Sequence, residues 1–213
     1  STQHCEGYSA EFPGIPDTQF ITDGEHGKGM ITKREVRLSI LSMMHPTRGD
    51  VIWDIGAGCG SVAIELALWQ TQHTVVAIEH HDDRLRCLKA NQEKFGVLKN
   101  LHIVSGRAPD ALEELKDNLA QPNKIFIGGS DGELTLLLKQ CWHQLPIGGT
   151  LMASAVTEDT KFLLMSFFKQ REECKDTEFE SSQIIVNRAG QLAGQLLYRP
   201  NLPVTLFKWV KHA

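Results

Sequence analysis

The segment Gly56–Gly60, with the sequence Gly-Ala-Gly-Cys-Gly, lies between an apolar run, Val51–Ile55, and a stretch with helical patterning that extends to about Trp69. An apolar strand, a glycine-rich turn and a helix in this order are typical of the first unit of an open parallel sheet. Apolar runs then alternate with helical patterns to about residue 172. This alternation predicts an α/β fold, with a doubly wound, mostly parallel sheet and helices on both of its faces.

The predicted strands differ in kind along the chain. Strands up to residue 156 are separated by helical patterns and are expected to be parallel. Strands after residue 172 lack intervening helices and are expected to be antiparallel, which completes a seven-stranded sheet with antiparallel C-terminal strands. The apolar runs that predict strands are residues 51–55, 74–79, 101–104, 124–127, 150–156, 179–188, 195–198 and 204–210.

Two helix starts carry residues that can cap them. Thr32 and Glu35 have the spacing of a capping box ahead of a helix that ends before Pro46. Asp82 or Asp83 is expected to cap the helix that runs to Phe95.

The domain organisation is simple. Residues 1–30 are rich in Gly, Pro, Ser and Thr and have no period, so they predict a leader or linker ahead of one domain at residues 31–213. The first residues lack the basic and apolar segments of a secretory signal. The longest apolar run, residues 162–168, is far shorter than the ~20 residues that cross a bilayer, so no membrane association is expected.

Charge and cysteine content narrow the function classes. The formal net charge of −4 argues against broad nucleic-acid binding. The number of cysteines is odd, their spacings are wide and no CxxC pair occurs, which predicts a reducing, cytoplasmic location. The cysteines are Cys5, Cys59, Cys87, Cys141 and Cys174.

The turn at Gly56–Gly60 is the strongest functional signal. Its glycines let a ligand approach the backbone closely, and the start of the next helix offers unpaired N–H groups. Asp54 suits a cationic amino group, and Glu79, which ends the next strand, can accept both hydroxyls of a ribose. Small residues at 105–109 leave room for an adenine edge. An amino group, a ribose and an adenine in this order are the parts of S-adenosylmethionine. The spacing of the residues that would bind them is similar to that of class I S-adenosylmethionine-dependent methyltransferases.

Other interpretations of these residues stay open. The glycines also suit a turn without a ligand, or a nicotinamide dehydrogenase, although the latter motif needs a glycine where Ser61 stands. The run from His80 to Asp83 has residues typical of metal sites. We expect no metal there, because neighbouring residues of a strand point to opposite faces.

Several segments resemble the cobalamin-pathway methyltransferases that act on carbon 15 of precorrin. The resemblance covers about residues 14–210, and its most specific parts are the Thr-Lys-x-Glu-Val-Arg segment and a Gly-Gly-Ser turn. The chain departs from that family in a longer link at residues 23–29 and in Ser154, where the family usually has Asn. The similar segments are residues 14–20, 31–37, 49–58, 105–112, 127–130, 155–157 and 202–205.

The resemblance implies a decarboxylating methyltransferase, so that residues 31–213 would form a methyltransferase domain. It moves the methyl group of S-adenosylmethionine to carbon 15 and removes carbon dioxide from the ring-C acetate. Such enzymes stand alone, often as homotetramers, or form the C-terminal half of a bifunctional protein whose other half methylates carbon 5. The cofactor contacts expected from the resemblance are Thr32, Gly56, Ala57, Gly58, Cys59, Gly60, Glu79 and Ala108, beside the Asp54 carboxylate.

A precorrin carries many carboxylates, so basic side chains are expected to bind it. Lys33, Arg37 and Arg199 are the first candidates. Two alternatives stay open, namely a class I methyltransferase for RNA, protein or another small molecule, and a non-catalytic cofactor-binding scaffold.

Overall fold

A computed structural model describes residues 8–24, 29–115, 120–130 and 132–213 of the protein. The strands are β1 (Val51–Ile55), β2 (Thr74–Glu79), β3 (Leu101–Ser105), β4 (Lys124–Ile127), β5 (Thr150–Ala155), β6 (Thr177–Ile184), β7 (Asn187–Leu192), β8 (Gln195–Pro200) and β9 (Val204–Lys211). The helices are α1 (Arg34–Met44), α2 (Ser61–Trp69), α3 (Asp82–Lys94), α4 (Asp110–Leu115), α5 (Leu134–Gln144) and α6 (Glu158–Cys174).

Seven strands form one sheet in the order β3-β2-β1-β4-β5-β9-β6. The first five in this order are parallel, and β9 runs antiparallel to both β5 and β6. The predicted doubly wound, mostly parallel sheet with antiparallel C-terminal strands is confirmed. Because the chain leaves β1 to one side for β2 and returns to its other side for β4, a crevice opens at the carboxyl end of β1.

The sheet separates two apolar layers. Alternate residues of β1 enter different layers: Ile52 packs in one, and Trp53 and Ile55 pack in the other. Helices α1, α2 and α3 cover the first face, and α4, α5 and α6 cover the second. Both faces are therefore buried, which explains why the central strands read as continuous apolar runs.

The predicted strand at residues 179–188 is wrong as a single element. The strand β6 stops at Ile184, and β7 leaves the sheet to form a separate two-stranded ribbon with β8. The β6 ladder ends because its partner β9 begins at Val204, directly after Pro203, which has no N–H to donate. The apolar pattern continues across Ile185, so sequence alone does not reveal the break.

Part of the predicted leader packs against the domain. Ile15 and Phe20 are buried in the first apolar layer, on either side of a short 3₁₀ turn at Asp17–Gln19. The remainder of the predicted leader includes residues 1–7 and 25–28, which lie outside the described part of the chain, as does Cys5.

Two predicted helix caps are wrong. Helix α1 begins after Lys33 and α3 begins after His81, and neither helix has a side-chain cap. The side chain of Thr32 is therefore not used as a cap. In the described ranges, no helix combines the length and the apolar character needed to span a membrane.

Candidate functional site

The glycine-rich loop joins β1 to α2 at the crevice. The N–H groups of Gly56 and Ala57 both donate to the Ile78 carbonyl, at 3.0 and 3.1 Å. Gly56 has a φ of +70°, and a Cβ placed on it would lie 2.4 Å from the Gly129 carbonyl oxygen. Only glycine fits here, because both the left-handed backbone and the close approach exclude a side chain.

Asp54 lies at the end of β1 and borders the crevice. Its side chain is buried, and neither carboxylate oxygen has a hydrogen-bond partner among the described residues. Burial, followed by the nearby Glu79 carboxylate, raises the pKa of Asp54 to about 7. A buried carboxylate without a partner is costly, so this position favours a cationic ligand.

Glu79 ends the neighbouring strand, β2. One carboxylate oxygen accepts a hydrogen bond from the Gly58 N–H at 2.9 Å, and the other accepts one from the His81 N–H at 3.3 Å. These bonds fix the orientation of the carboxylate beside the loop. The remaining lone pairs are available to the hydroxyl groups of a ligand.

Two cavities adjoin at this edge of the sheet. The larger cavity has a volume of about 430 Å³ and includes Thr32, Lys33 and Asp54 in its wall. The smaller cavity has a volume of about 300 Å³ and includes Glu79 and Ala108. Four residues line both cavities and mark where they meet: Met30, Gly56, Arg84 and Gly129.

The structure brings most of the expected cofactor residues together. Thr32, Asp54 and the loop from Gly56 to Cys59 line the larger cavity, and Glu79 and Ala108 line the smaller one. Gly60 lines neither of them; a Cβ placed on it would lie 2.2 Å from a methyl group of Leu88, so its role is to let the loop turn.

These residues fit S-adenosylmethionine on chemical grounds. The unpartnered Asp54 carboxylate matches its ammonium group, and Glu79 matches the ribose hydroxyls. Burial raises the pKa of Cys59 to about 11, so this thiol stays protonated and is not a reactive nucleophile at neutral pH.

The three basic candidates occupy different environments. Lys33 borders the larger cavity, and its ammonium group forms no ion pair within the part of the chain that the structure describes. Arg199 lies on the exposed ribbon, directly opposite Arg188, and lines neither cavity.

The expectation that Arg37 binds substrate is wrong. Its side chain is fully buried, pairs with Glu65 at 2.8 Å and also pairs with Asp17. It further donates to the carbonyls of Ile15 and Thr32. Its charge is neutralised inside the protein, so the side chain is not accessible to a substrate carboxylate.

Sequence reasoning missed Arg84 and Phe126 in the cavity walls. Arg84 lies in the first turn of α3 and forms an ion pair with Asp23 at 3.6 Å. The sequence did carry a signal for Arg84. It lies in the first helical turn after the strand that ends at Glu79, and that turn faces the carboxyl edge of the sheet.

The strand-alternation argument for the run from His80 to Asp83 is wrong, because β2 ends at Glu79 and these residues lie beyond the strand. One ligand atom from each of Glu79, His80 and His81 lies within 4.8 Å of the others. The absence of a metal stays a prediction.

Comparisons with known proteins agree with this site. Residues 23–211 match the family model described as a precorrin methyltransferase domain. The chain is 36% identical over 198 residues to the precorrin-6Y C(5,15)-methyltransferase [decarboxylating] of Sinorhizobium sp., covering 93% of this chain and 44% of that protein. It is 31% identical over 194 residues to the probable cobalt-precorrin-6B C(15)-methyltransferase (decarboxylating) of Pyrobaculum aerophilum, covering 90% of this chain and 93% of that protein.

A solved structure supports the same assignment. The precorrin-6y C5,15-methyltransferase of Geobacter metallireducens superposes with a TM-score of 0.82 at 29% identity, covering 95% of this chain and 100% of that one. The chain spans less than half the length of the Sinorhizobium relative. Together with the family-model match over most of its length, these similarities show that the chain belongs to the precorrin methyltransferase family.

Proposed function

We propose that this chain transfers a methyl group from S-adenosylmethionine to carbon 15 of a precorrin or cobalt-precorrin and removes the ring-C acetate carboxylate as carbon dioxide, in cobalamin biosynthesis. The observation that carries the proposal is the pair of adjoining cavities at the carboxyl end of β1, one beside Glu79 and one beside Asp54 and Lys33. The decarboxylating C-15 activity in the names of its relatives supports this substrate.

The cofactor supplies an electrophilic methyl group on a sulfonium. Asp54 would hold its ammonium group, Glu79 its ribose, and the segment at Ala108 its adenine. Thr32 and Gly56–Cys59 would line the larger cavity, and Gly56 would lie where the two cavities meet. Such fixed positioning can supply much of the rate acceleration without a side-chain nucleophile.

The larger cavity suits a flat, conjugated substrate. Its wall includes several apolar side chains, among them Phe126, Val156, Ile184 and Val204. A wall of this kind excludes water and can pack against a macrocycle. For the loss of carbon dioxide, the conjugated ring itself can receive the electron pair, so no further cofactor is needed.

The carboxylates of the substrate need cations at the cavity mouth. Lys33 is the first choice, because it combines a place in the wall with an ammonium group that has no ion-pair partner among the described residues. Arg199 stays a proposal for a substrate that extends toward the ribbon. Arg37 is withdrawn because it is buried.

We also propose that the chain forms a homo-oligomer, a tetramer by resemblance, in the cytoplasm. Exposed apolar side chains on and beside the β7–β8 ribbon support association, among them Leu196 and Tyr198. The length of the Sinorhizobium relative supports a carbon-5 methyltransferase as a partner domain.

The test is the mass of the tetrapyrrole product. The pathway intermediate would be generated in situ and incubated with the protein and S-adenosylmethionine, with Glu79→Ala as the matched control. Gain of one methyl group and loss of one carbon dioxide, both reduced in the variant, is the expected result. Methyl gain alone would assign decarboxylation elsewhere.

No product despite S-adenosylhomocysteine binding would contradict the proposal. It would favour one of the alternatives, a methyltransferase for RNA, protein or another small molecule, or a non-catalytic scaffold.

A further inference from the structure

Asn91 is a buried side chain of α3 that lines neither cavity, yet it contacts the glycine-rich loop. Its Nδ2 group donates to the Cys59 carbonyl at 2.8 Å and to the Ile21 carbonyl at 2.9 Å. Its Oδ1 atom accepts from the Ile21 N–H at 2.8 Å. One amide therefore ties the cofactor loop to the segment near the N-terminus.

Arg37 makes an equivalent connection at the other end of that segment. Its Nη1 group donates to the Ile15 carbonyl at 2.6 Å. Its Nε and Nη2 groups donate to the Thr32 carbonyl at 3.3 and 3.1 Å. Since Thr32 and Cys59 both line the larger cavity, each end of the segment is linked to the cavity wall through one buried side chain.

We refer to residues 14–21 as the N-terminal brace. Besides these links, the brace is held by Glu65, whose Oε1 atom accepts from the N–H groups of Gly14 and Ile15 at 2.7 and 3.3 Å. The Arg37 guanidinium also lies over the Phe20 ring, 4.7 Å from its centroid. Releasing the brace would leave several buried polar groups without partners, so the brace and the cavity wall are expected to move together.

We propose that docking of the N-terminal brace and binding of S-adenosylmethionine are coupled, with Asn91 as the positioning residue that carries the coupling to the glycine-rich loop. The proposal rests on the cofactor assigned under the proposed function, but not on the tetrapyrrole chemistry. Because coupling is reciprocal, cofactor binding tightens the brace and a weakened brace lowers cofactor affinity.

Hydrogen exchange of the wild-type protein tests whether cofactor binding tightens the brace. The Gly14 and Ile21 amides lie outside regular secondary structure and donate to the side chains of Glu65 in α2 and Asn91 in α3, so they report opening of the brace. Saturating S-adenosylhomocysteine is expected to slow their exchange by about 5-fold or more. The His212 amide, bonded to the Asp176 carbonyl at 2.8 Å, serves as the control and is expected to change less.

Calorimetric titration of variants tests whether a weakened brace lowers cofactor affinity. Asn91→Asp keeps the acceptor for the Ile21 N–H and loses both donated bonds, so the Kd for S-adenosylhomocysteine is expected to rise about 10-fold. The matched control is Asn100→Asp, which removes a donated bond to the Ala67 carbonyl, 2.9 Å long in the wild type, without touching the brace.

Three results would overturn the coupling. They are unchanged exchange of Ile21 in saturated wild type, an Asn91→Asp variant that binds as tightly as wild type, and equal loss of affinity in Asn100→Asp. Coupling in a protein that yields no methylated tetrapyrrole would support this inference and contradict the proposed reaction. Wild type that binds no S-adenosylhomocysteine would contradict both.

Discussion

Replacing Asp54 by Asn should stabilise the cofactor-free protein above neutral pH. Asp54 is buried without a hydrogen-bond partner among the described residues, and its pKa rises from the ordinary 3.8 to about 7 in the folded protein. Between these pH values the unfolded chain has released this proton and the folded chain has kept it. Stability therefore falls as pH rises from about 4 to about 7, and levels off above that.

The size of the effect follows from the same difference in pKa. The pKa of Asp54 rises from 3.8 to about 7, and each pKa unit corresponds to about 1.4 kcal/mol. The ionised side chain therefore lowers the free energy of unfolding by up to roughly 4 kcal/mol at pH 8. For a chain of this size that corresponds to a Tm increase of at most ~8–16 °C in Asp54→Asn. The same variant should bind S-adenosylhomocysteine roughly 10- to 100-fold more weakly, because a charged hydrogen bond is lost.

Calorimetry of the cofactor-free protein between pH 4.5 and pH 8 measures the first effect, and titration with S-adenosylhomocysteine measures the second. Asp50→Asn is the matched control, and its expected effect on stability at neutral pH has the opposite sign. Burial raises the pKa of Asp50, but hydrogen bonds from Lys124, Thr47 and Asn123 outweigh it and hold the pKa below its usual value. Asp50 therefore contributes stability at neutral pH that is lost as pH falls through its folded-state pKa.

The two variants should thus differ in sign at pH 8, with Asp54→Asn more stable than wild type and Asp50→Asn less stable. Destabilisation by both, or an unchanged affinity in Asp54→Asn, would refute the reasoning about the Asp54 carboxylate.

Three further outcomes are expected. Lys33→Glu should raise the KM for the tetrapyrrole and leave the Kd for S-adenosylhomocysteine unchanged; steady-state kinetics with unaltered KM would exclude Lys33 as a substrate contact. Gly56→Ala should reduce cofactor binding at least ~10-fold, because its Cβ would lie 2.4 Å from the rigid Gly129 carbonyl; titration that gives the wild-type Kd would contradict this. Trp209→Ala should lower the free energy of unfolding by about 3–5 kcal/mol, since the ring is fully buried between Phe167 and Phe207; urea denaturation showing less than ~1 kcal/mol would argue against this packing.

The sheet and the cofactor side of the site could be predicted from the sequence because their signals are local. The loop at Gly56–Gly60 and the carboxylate of Glu79 each follow directly from a strand end, so their places in the fold are fixed once the strands are recognised. Even where sequence did not show a contact, as for Arg84, the residue lies within a few positions of such a strand end.

The rest depends on partners that are distant in sequence. Arg37 and Lys33 are neighbours with the same charge, but only the folded chain brings Glu65 and Asp17 to Arg37 and leaves Lys33 at the cavity. The break after Ile184 likewise depends on where β9 begins, not on the residues around it.

The place of β9 between β5 and β6 has a consequence during synthesis on the ribosome. The strand β6 is made before β9 but has no partner in the sheet until β9 follows. From Ile184 to Lys211 the ribosome needs roughly 1–5 s. Throughout that interval the β5 edge and the whole of β6 are unpaired. Direct pairing of β5 with β6, or with the same strands of a neighbouring nascent chain, competes with correct folding during this interval, because an unpaired strand edge is a template for pairing.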